Sequence, residues 1–170
     1  NFPQVREALG NLAAETVIVD SLVHAMEVKG FQHGDYFIPD RHTLYAAQVL
    51  SQQMYPKVLT TIRELAGGGL IMLPSSVQDF ANPDLNAMIN KTQKSPASDS
   101  QGRVKFLKLA WDAVGSEFAS RHLQYEMFYA GAAFVTKNHS FRTFDWDRTT
   151  DLVDGFLNSY TLEDELASPL

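Results

Sequence analysis

Two long stretches of this chain repeat apolar side chains at every third or fourth position, and that spacing commits them to helices that must each bury one face. In residues 4–28 the stripe is Val5, Ala8, Leu9, Leu12, Thr16, Val19, Val23 and Met26, with Thr16 the one polar member, and Gly30 stops it. Asp40 stands where an N-cap belongs. After it Leu44, Ala47, Leu50, Met54, Val58, Ile62 and Leu65 predict a second helix to residue 66, bent or short of one bond at Pro56. A third stripe (Phe106, Leu109, Ala110, Ala113, Val114, Phe118, Leu123) predicts a helix over 103–129, broken or kinked at Gly131. Asn82-Pro83-Asp84 opens a short helix through residue 90, and Asp147 caps a last one over 148–160. The connectors are 31–39, the glycine-rich 67–76, the polar surface loop 92–102 and an irregular 138–146; the acidic tail 162–170 is expected to fray. No strand-like alternation and no internal repeat stands out. The expected fold class is all-α, an up-down helical bundle.

The bulk properties narrow the function. The chain has 170 residues, the length of about one domain. Its hydrophobic fraction of 45% can build a core without disulfides. With Cys 0, thiolate metal sites and cysteine nucleophiles are excluded from this segment, which fits a reducing, cytoplasmic setting. Net charge is −6 and the basic residues form no run, which argues against nucleic-acid binding. No apolar run approaches the length that spans a bilayer. The start at Asn1-Phe2-Pro3, with no Met and no leader pattern, reads as a piece of a longer chain in which 1–170 is a single C-terminal domain.

Candidate chemistry is sparse. The five His show no metal-ligand spacing. Ser116 is not in a nucleophile-elbow pattern and sits in a helical stretch. Glu117 and Glu126 lie nine positions apart on the predicted third helix, about two and a half turns, so they face opposite ways. Glu126 reads as a solvated or capping residue. What stands out is glycine. Gly115-Ser116 interrupts a strong helical pattern at a cost of about 1 kcal/mol relative to Ala, which predicts that something approaches the backbone there. Gly67, Gly68 and Gly69, followed by Pro74, Ser75 and Ser76, mark a second such place, either an ordinary helix C-cap or a phosphate- or ring-binding loop. Aromatics crowd the last third (Trp111, Phe118, Tyr125, Phe128, Tyr129, Phe134), suited to a core or to the walls of a pocket for a flat ring.

These same residues carry a resemblance. Tyr36-Phe37-Ile38-Pro39-Asp40, Gly69-Leu70-Ile71-Met72-Leu73-Pro74-Ser75-Ser76, and above all Lys105 through Phe118 (KFLKLAWDAVGSEF) with Arg121-His122 and Tyr125-Glu126 resemble the C-terminal domain of the oxygenase component of two-component, FADH2-dependent aromatic monooxygenases. That family is typified by 4-hydroxyphenylacetate 3-monooxygenase, and the match covers nearly the whole chain. The stretch from Tyr129 to Lys137 and Arg142-Thr143-Phe144-Asp145-Trp146 look like the branch with chlorophenol monooxygenases and a siderophore-chromophore hydroxylase.

The resemblance implies an acyl-CoA-dehydrogenase-like fold with upstream helical and β domains, and a homotetramer packed largely through the C-terminal helices. It implies FADH2 from a separate flavin reductase, reaction with O2 to a C4a-hydroperoxyflavin, and hydroxylation of a phenol. It implies flavin contacts at Gly115, Ser116, Glu117 and Phe118. The loop with Gly67, Gly68, Gly69, Pro74, Ser75 and Ser76 is similar to the place where related dehydrogenases receive a neighbouring subunit's cofactor. The residues that handle the phenol lie upstream in the family, so no catalytic residue and no metal ligand is expected in this segment, and the segment alone should not hydroxylate. Two other readings stand beside this one: a flavin-dependent dehydratase of CoA thioesters with the same fold, and a helical oligomerisation domain whose glycines serve packing.

Overall fold

The computed structural model describes residues 2–167, except the side chains of 164, 165 and 167. Its eight helices are α1 (Pro3–Val28), α2 (Arg41–Ala66), α3 (Pro83–Thr92), α4 (Ser100–Val114), α5 (Glu117–Phe128), α6 (Ala133–Thr143), α7 (Trp146–Leu157) and α8 (Leu162–Ala167). The all-α class and the helical bundle hold. α2 is the axis, with α1, α4, α5 and α6 packed around it.

Local chemistry sets most of the boundaries. Pro3 starts α1, where its missing N–H is no loss. Asp40 caps α2 as expected: its carboxylate accepts from the Thr43 N–H at 2.8 Å and the Thr43 hydroxyl at 2.6 Å. Asn82 caps α3 through the Asp84 and Leu85 N–H groups. Gly67, at φ +52°, closes α2. Short 3-10 turns follow at Gly67–Leu70 and Val77–Phe80, the second held by a reciprocal capping box between Ser76 and Asp79.

Five expectations need correction. The connector 31–39 holds an antiparallel hairpin, β1 (Phe31–His33) paired with β2 (Tyr36–Ile38) in the register Phe31 to Ile38. Three-residue strands are too short to display alternation, and the turn depends on Gly34 at φ +57°. The single helix expected over 103–129 is two helices, with Gly115 as the C-cap of α4 and Ser116 as the N-cap of α5. The stretch 138–146 is ordered mostly as α6, and Asp145, not Asp147, caps α7 through the Arg148 N–H at 3.0 Å. The loop expected over 92–102 is confined to 93–99, because Asp99 caps α4. The tail is helical over Leu162–Ala167; residues 168–170 lie outside the described residues.

Leu59, Leu70, Leu107 and Val114 form the core, with Tyr55, Ile62, Leu73 and Leu123 packed around them. A buried polar clasp ties the far side together. The Gln52 amide donates to Met127 O and Gly131 O, both at 2.8 Å, and its carbonyl accepts from the Thr136 hydroxyl at 2.8 Å. That links α2 to the end of α5 and the first turn of α6.

Much apolar surface stays uncovered. Neither α1 nor α7 has a buried residue. The accessible surface is 12974 Å² for 19.0 kDa, whereas a compact monomer of that mass exposes about 8,400 Å². The excess, about 4,600 Å², is several times the roughly 800 Å² that one partner contributes to an ordinary stable interface.

Candidate functional site

The two glycine-marked places fall along one helix. Gly69 packs on α4: a Cβ added there would lie 3.2 Å from Leu107 Cδ1. The Ser75 carbonyl accepts from Lys108 Nζ at 3.3 Å, and Gly115 ends the same helix. From Leu107 to Gly115 is about 12 Å along the axis at 1.5 Å per residue. The sequence separates these loops by some forty positions; α4 brings them to one side chain row and its end.

At Gly115 the close approach is internal. A Cβ would sit 2.6 Å from the Trp111 ring, so the glycine makes room for a tryptophan one turn back. The Ser116 hydroxyl is already engaged, accepting from the Ala119 N–H at 3.1 Å and donating to Asp112 O at 2.9 Å. The N–H groups of Gly115 and Ser116 both bond Trp111 O, at 2.8 and 3.1 Å. What the break offers outward is the first turn of α5. Ala119 and Ser120 N–H groups are taken by Ser116, which leaves those of Glu117 and Phe118 as the donors without an intrahelical partner. They point along the positive end of the α5 dipole.

Phe118 is exposed and begins a row of rings on α5. It stacks on His122 with centroids 5.9 Å apart, His122 on Tyr125 at 6.2 Å, and Tyr125 on Tyr129 at 5.6 Å, with interplanar angles of 5°, 13° and 18°. Glu117 forms an exposed pair with Arg121 at 2.8 Å.

The other loop is similarly self-occupied. The Ser76 hydroxyl accepts from the Gln78 N–H, and the Ser75 hydroxyl donates to Asp79. Cβ atoms at Gly67 and Gly68 would meet nothing within 4 Å, so those two backbones are open to an approaching group.

Two features escaped the residue-by-residue reading. Arg63, on α2, donates to Val114 O and so fixes the last carbonyl of α4 just before the break; a residue fifty positions away gives no local signal. Glu126 is not simply solvated. Its carboxylate lies 3.4 Å from His122 Nε2 and borders a groove of about 550 Å³ between α1 and α2, floored by Leu12, Val19, Met54, Tyr55 and Val58. Tyr55 meets the edge of His122 there, and its hydroxyl pKa is raised, first by burial and then by the Glu126 charge. The i, i+4 spacing of His122 and Glu126 was the one visible hint. Among the described residues no three His, Asp or Glu side chains converge as metal ligands, and no helix is long and apolar enough to cross a membrane.

The class that the fold defines is a helical bundle packed around α2, with two glycine-marked loops along α4 and a ring-lined start to α5. Residues 1–158 match the family model for the C-terminal part of 4-hydroxyphenylacetate 3-hydroxylase, HpaB, and the chain belongs to that family. It is 39% identical over 133 residues to the 4-hydroxyphenylacetate 3-monooxygenase oxygenase component of Pseudomonas aeruginosa, covering 77% of this chain and 26% of that protein. The Escherichia coli protein of the same description is 35% identical over 166 residues, 94% of this chain and 32% of its own length. The crystal structure of an HpaB oxygenase component complexed with FAD and 4-hydroxyphenylacetate superposes with a TM-score of 0.86 at 24% identity, over 93% of this chain and 33% of that one. This chain therefore spans about a third or less of the relatives it matches.

Proposed function

We propose that this chain is the C-terminal domain of the oxygenase component of a two-component aromatic monooxygenase, and that it forms one wall of the flavin site and packs a homotetramer. The observation that carries the first role is the break at Gly115-Ser116. It presents the Glu117 and Phe118 N–H groups beside an exposed, stacked ring row. A flat, hydrogen-bond-accepting ring system such as a flavin can stack on Phe118 and accept from those donors. The open backbones of Gly67 and Gly68, with Gly69, Pro74, Ser75 and Ser76, border the same helix and suit the phosphate-bearing remainder of the cofactor or of a neighbour's cofactor.

Reduced FAD, delivered by a separate flavin reductase, supplies the oxygen-activating chemistry when bound, through the C4a-hydroperoxyflavin that the resemblance implies. This domain's share is to orient the ring and exclude water from one side of it. The phenol and O2 are handled by upstream residues, so the domain alone does not hydroxylate. The proposed compartment is the cytoplasm. The large uncovered apolar surface supports the second role, since domains and subunits are what would cover it.

The test is Phe118→Ala in the full-length protein, titrated anaerobically with FADH2. Phe118 is exposed and makes no core contact, so its loss acts at the surface. The expected result is FADH2 affinity weaker by about tenfold, from a stacking loss of about 1 kcal/mol or a little more, with more H2O2 released per NAD(P)H consumed. Unchanged affinity with unchanged uncoupling would refute the assignment. Gly115→Val is a poor substitute, because the new side chain would strike Trp111 whether or not a flavin lies nearby.

A further inference from the structure

Phe118, the ring that the proposed function sets against the flavin, has little packing to hold it. It is the second residue of α5 and is 74% exposed. A long side chain on a helix has two ordinary χ1 rotamers open to it, and a ring that must lie flat on a flat cofactor is useful in only one of them. Among the described residues its one ring contact is with His122, a turn further along α5, with centroids 5.9 Å apart and planes 5° from parallel.

His122, by contrast, is held from several directions. Tyr125 lies nearly parallel to it at 6.2 Å. Its Nε2 is 3.4 Å from the Glu126 carboxylate, which is only 27% exposed. Tyr55 meets the imidazole edge-on at 5.6 Å and 86°, and Tyr55 belongs to another helix, α2. Tyr55 itself packs on the core built by Leu59, Leu70, Leu107 and Val114. An i, i+4 ring pair on an exposed helix face is weak on its own. This one is tied through Tyr55 to the core, so the exposed Phe118 ring stands two contacts away from the most rigid part of the molecule.

We infer that His122 is a positioning residue of this site: locked by Tyr55 and Glu126, it holds the Phe118 ring in the one orientation on which a flavin can stack. It acts through Phe118 and not on the cofactor. This inference rests on the flavin reading for its purpose, but the hold of His122 on Phe118 can be measured with no flavin present. Its size follows from populations. A Phe118 ring shared between two rotamers is competent about half the time, and apparent affinity falls in proportion to the competent fraction, so losing His122 costs about two- to threefold. That is well inside the loss of about tenfold assigned to removing Phe118 outright, as it must be for a residue that works through that ring.

The test places 4-fluorophenylalanine at position 118 of the full-length protein and follows its fluorine resonance without flavin. His122→Ala removes the stacked neighbour and frees the rotamer, so the resonance should move toward that of the free amino acid and narrow. His122→Phe keeps a ring in place and should keep the resonance displaced and broad. Anaerobic titration of the unlabelled proteins with FADH2 should then show affinity about two- to threefold weaker in His122→Ala, recovery in His122→Phe, and no further loss when His122→Ala is added to Phe118→Ala, because both act through one ring. A resonance that His122→Ala leaves unmoved overturns the inference. So does a His122→Ala loss that adds in full to that of Phe118→Ala, which would mean that His122 serves the cofactor directly or serves only the fold. Failure of His122→Phe to recover either signal also overturns it, since stacking is what the inference requires. If the resonance moves as expected while Phe118→Ala leaves FADH2 affinity unchanged, the flavin reading falls and the hold of His122 on Phe118 stands.

Discussion

Replacing Gln52 by Leu tests whether the α5–α6 corner depends on its polar clasp. Gln52 is 9% exposed and Thr136 is 0% exposed, so both side chains of the clasp are buried, while Met127 and Gly131, whose carbonyls Gln52 serves, are half-buried. The two carbonyls that Gln52 serves have no second suitor. The Gly131 N–H, which would have continued α5 onto Met127 O, bonds Phe128 O at 2.9 Å instead. The Val135 and Thr136 N–H groups, the nearest helical donors after Gly131, both bond Ala132 O. Gln52→Leu therefore strands two acceptors. The Thr136 hydroxyl keeps a fallback at Ala133 O, 3.1 Å away, so it contributes less. Each stranded acceptor is only half-buried and so costs about 1 kcal/mol, the low end for an unmade hydrogen bond, partly offset by the apolar leucine, so the loss should be about 1–2 kcal/mol. The assay is urea unfolding of the full-length protein, with hydrogen exchange across 127–136 to localise the effect. Thr136→Val alone should cost about 1 kcal/mol, and the double variant less than the two single losses combined, because they share one network. A Gln52→Leu variant within about 0.5 kcal/mol of the parent, the range of ordinary surface changes, would refute the argument that these carbonyls depend on Gln52.

Two further outcomes follow from the α1–α2 corner. The carboxylate of Asp40 is held below its ordinary pKa, first by the Thr43 hydroxyl and then by the Thr43 N–H; a depressed pKa means that the stabilisation is present above the unfolded-state value and is lost as pH falls through the lower folded one. Acid unfolding of Asp40→Asn, which keeps the cap but cannot titrate, should lack that component; an identical acid limb in both proteins would contradict the cap. Gly30→Ala places a Cβ 2.3 Å from the Phe37 ring and 2.9 Å from Ile38 O. The ring can swing aside but the backbone oxygen cannot without opening the hairpin, so thermal unfolding should register a loss of about 1–3 kcal/mol; no change would mean that the hairpin does not fold back on the end of α1.

The reading from residues succeeded where the determinant is local. The α1 and α2 helices, the Asp40 cap and the Asn82-Pro83 start are each specified within one or two turns and stand where expected, although the α1 stripe, expected to bury a face, has no buried residue. It failed where two local readings were equally allowed. Gly115-Ser116 fits a costly helix interior as well as a C-cap followed by an N-cap, because the apolar pattern on either side continues in phase. The stretch 138–146 looks irregular by composition, yet Thr136 at the start of α6 is locked to Gln52, and that contact pins the helix. The candidate site was legible only as two glycine-marked places; that Trp111 fills the space at Gly115 and that Gly67 and Gly68 stand open were not.

What the sequence by itself determined is the class: helical periodicity, caps and charge are properties of neighbours along the chain, and they dictate an all-α bundle with an acidic C-terminal tail. What only the tertiary structure decided is where those helices stop and which surfaces remain bare. Arg63 reaching Val114 O, Gln52 reaching across to Met127 and Gly131, and Glu126 meeting Tyr55 at the α1–α2 groove all join residues distant in sequence. Such contacts carry no periodic or positional mark, because their partners are chosen by how packed helices happen to juxtapose, and that choice is settled only when the chain has collapsed around α2.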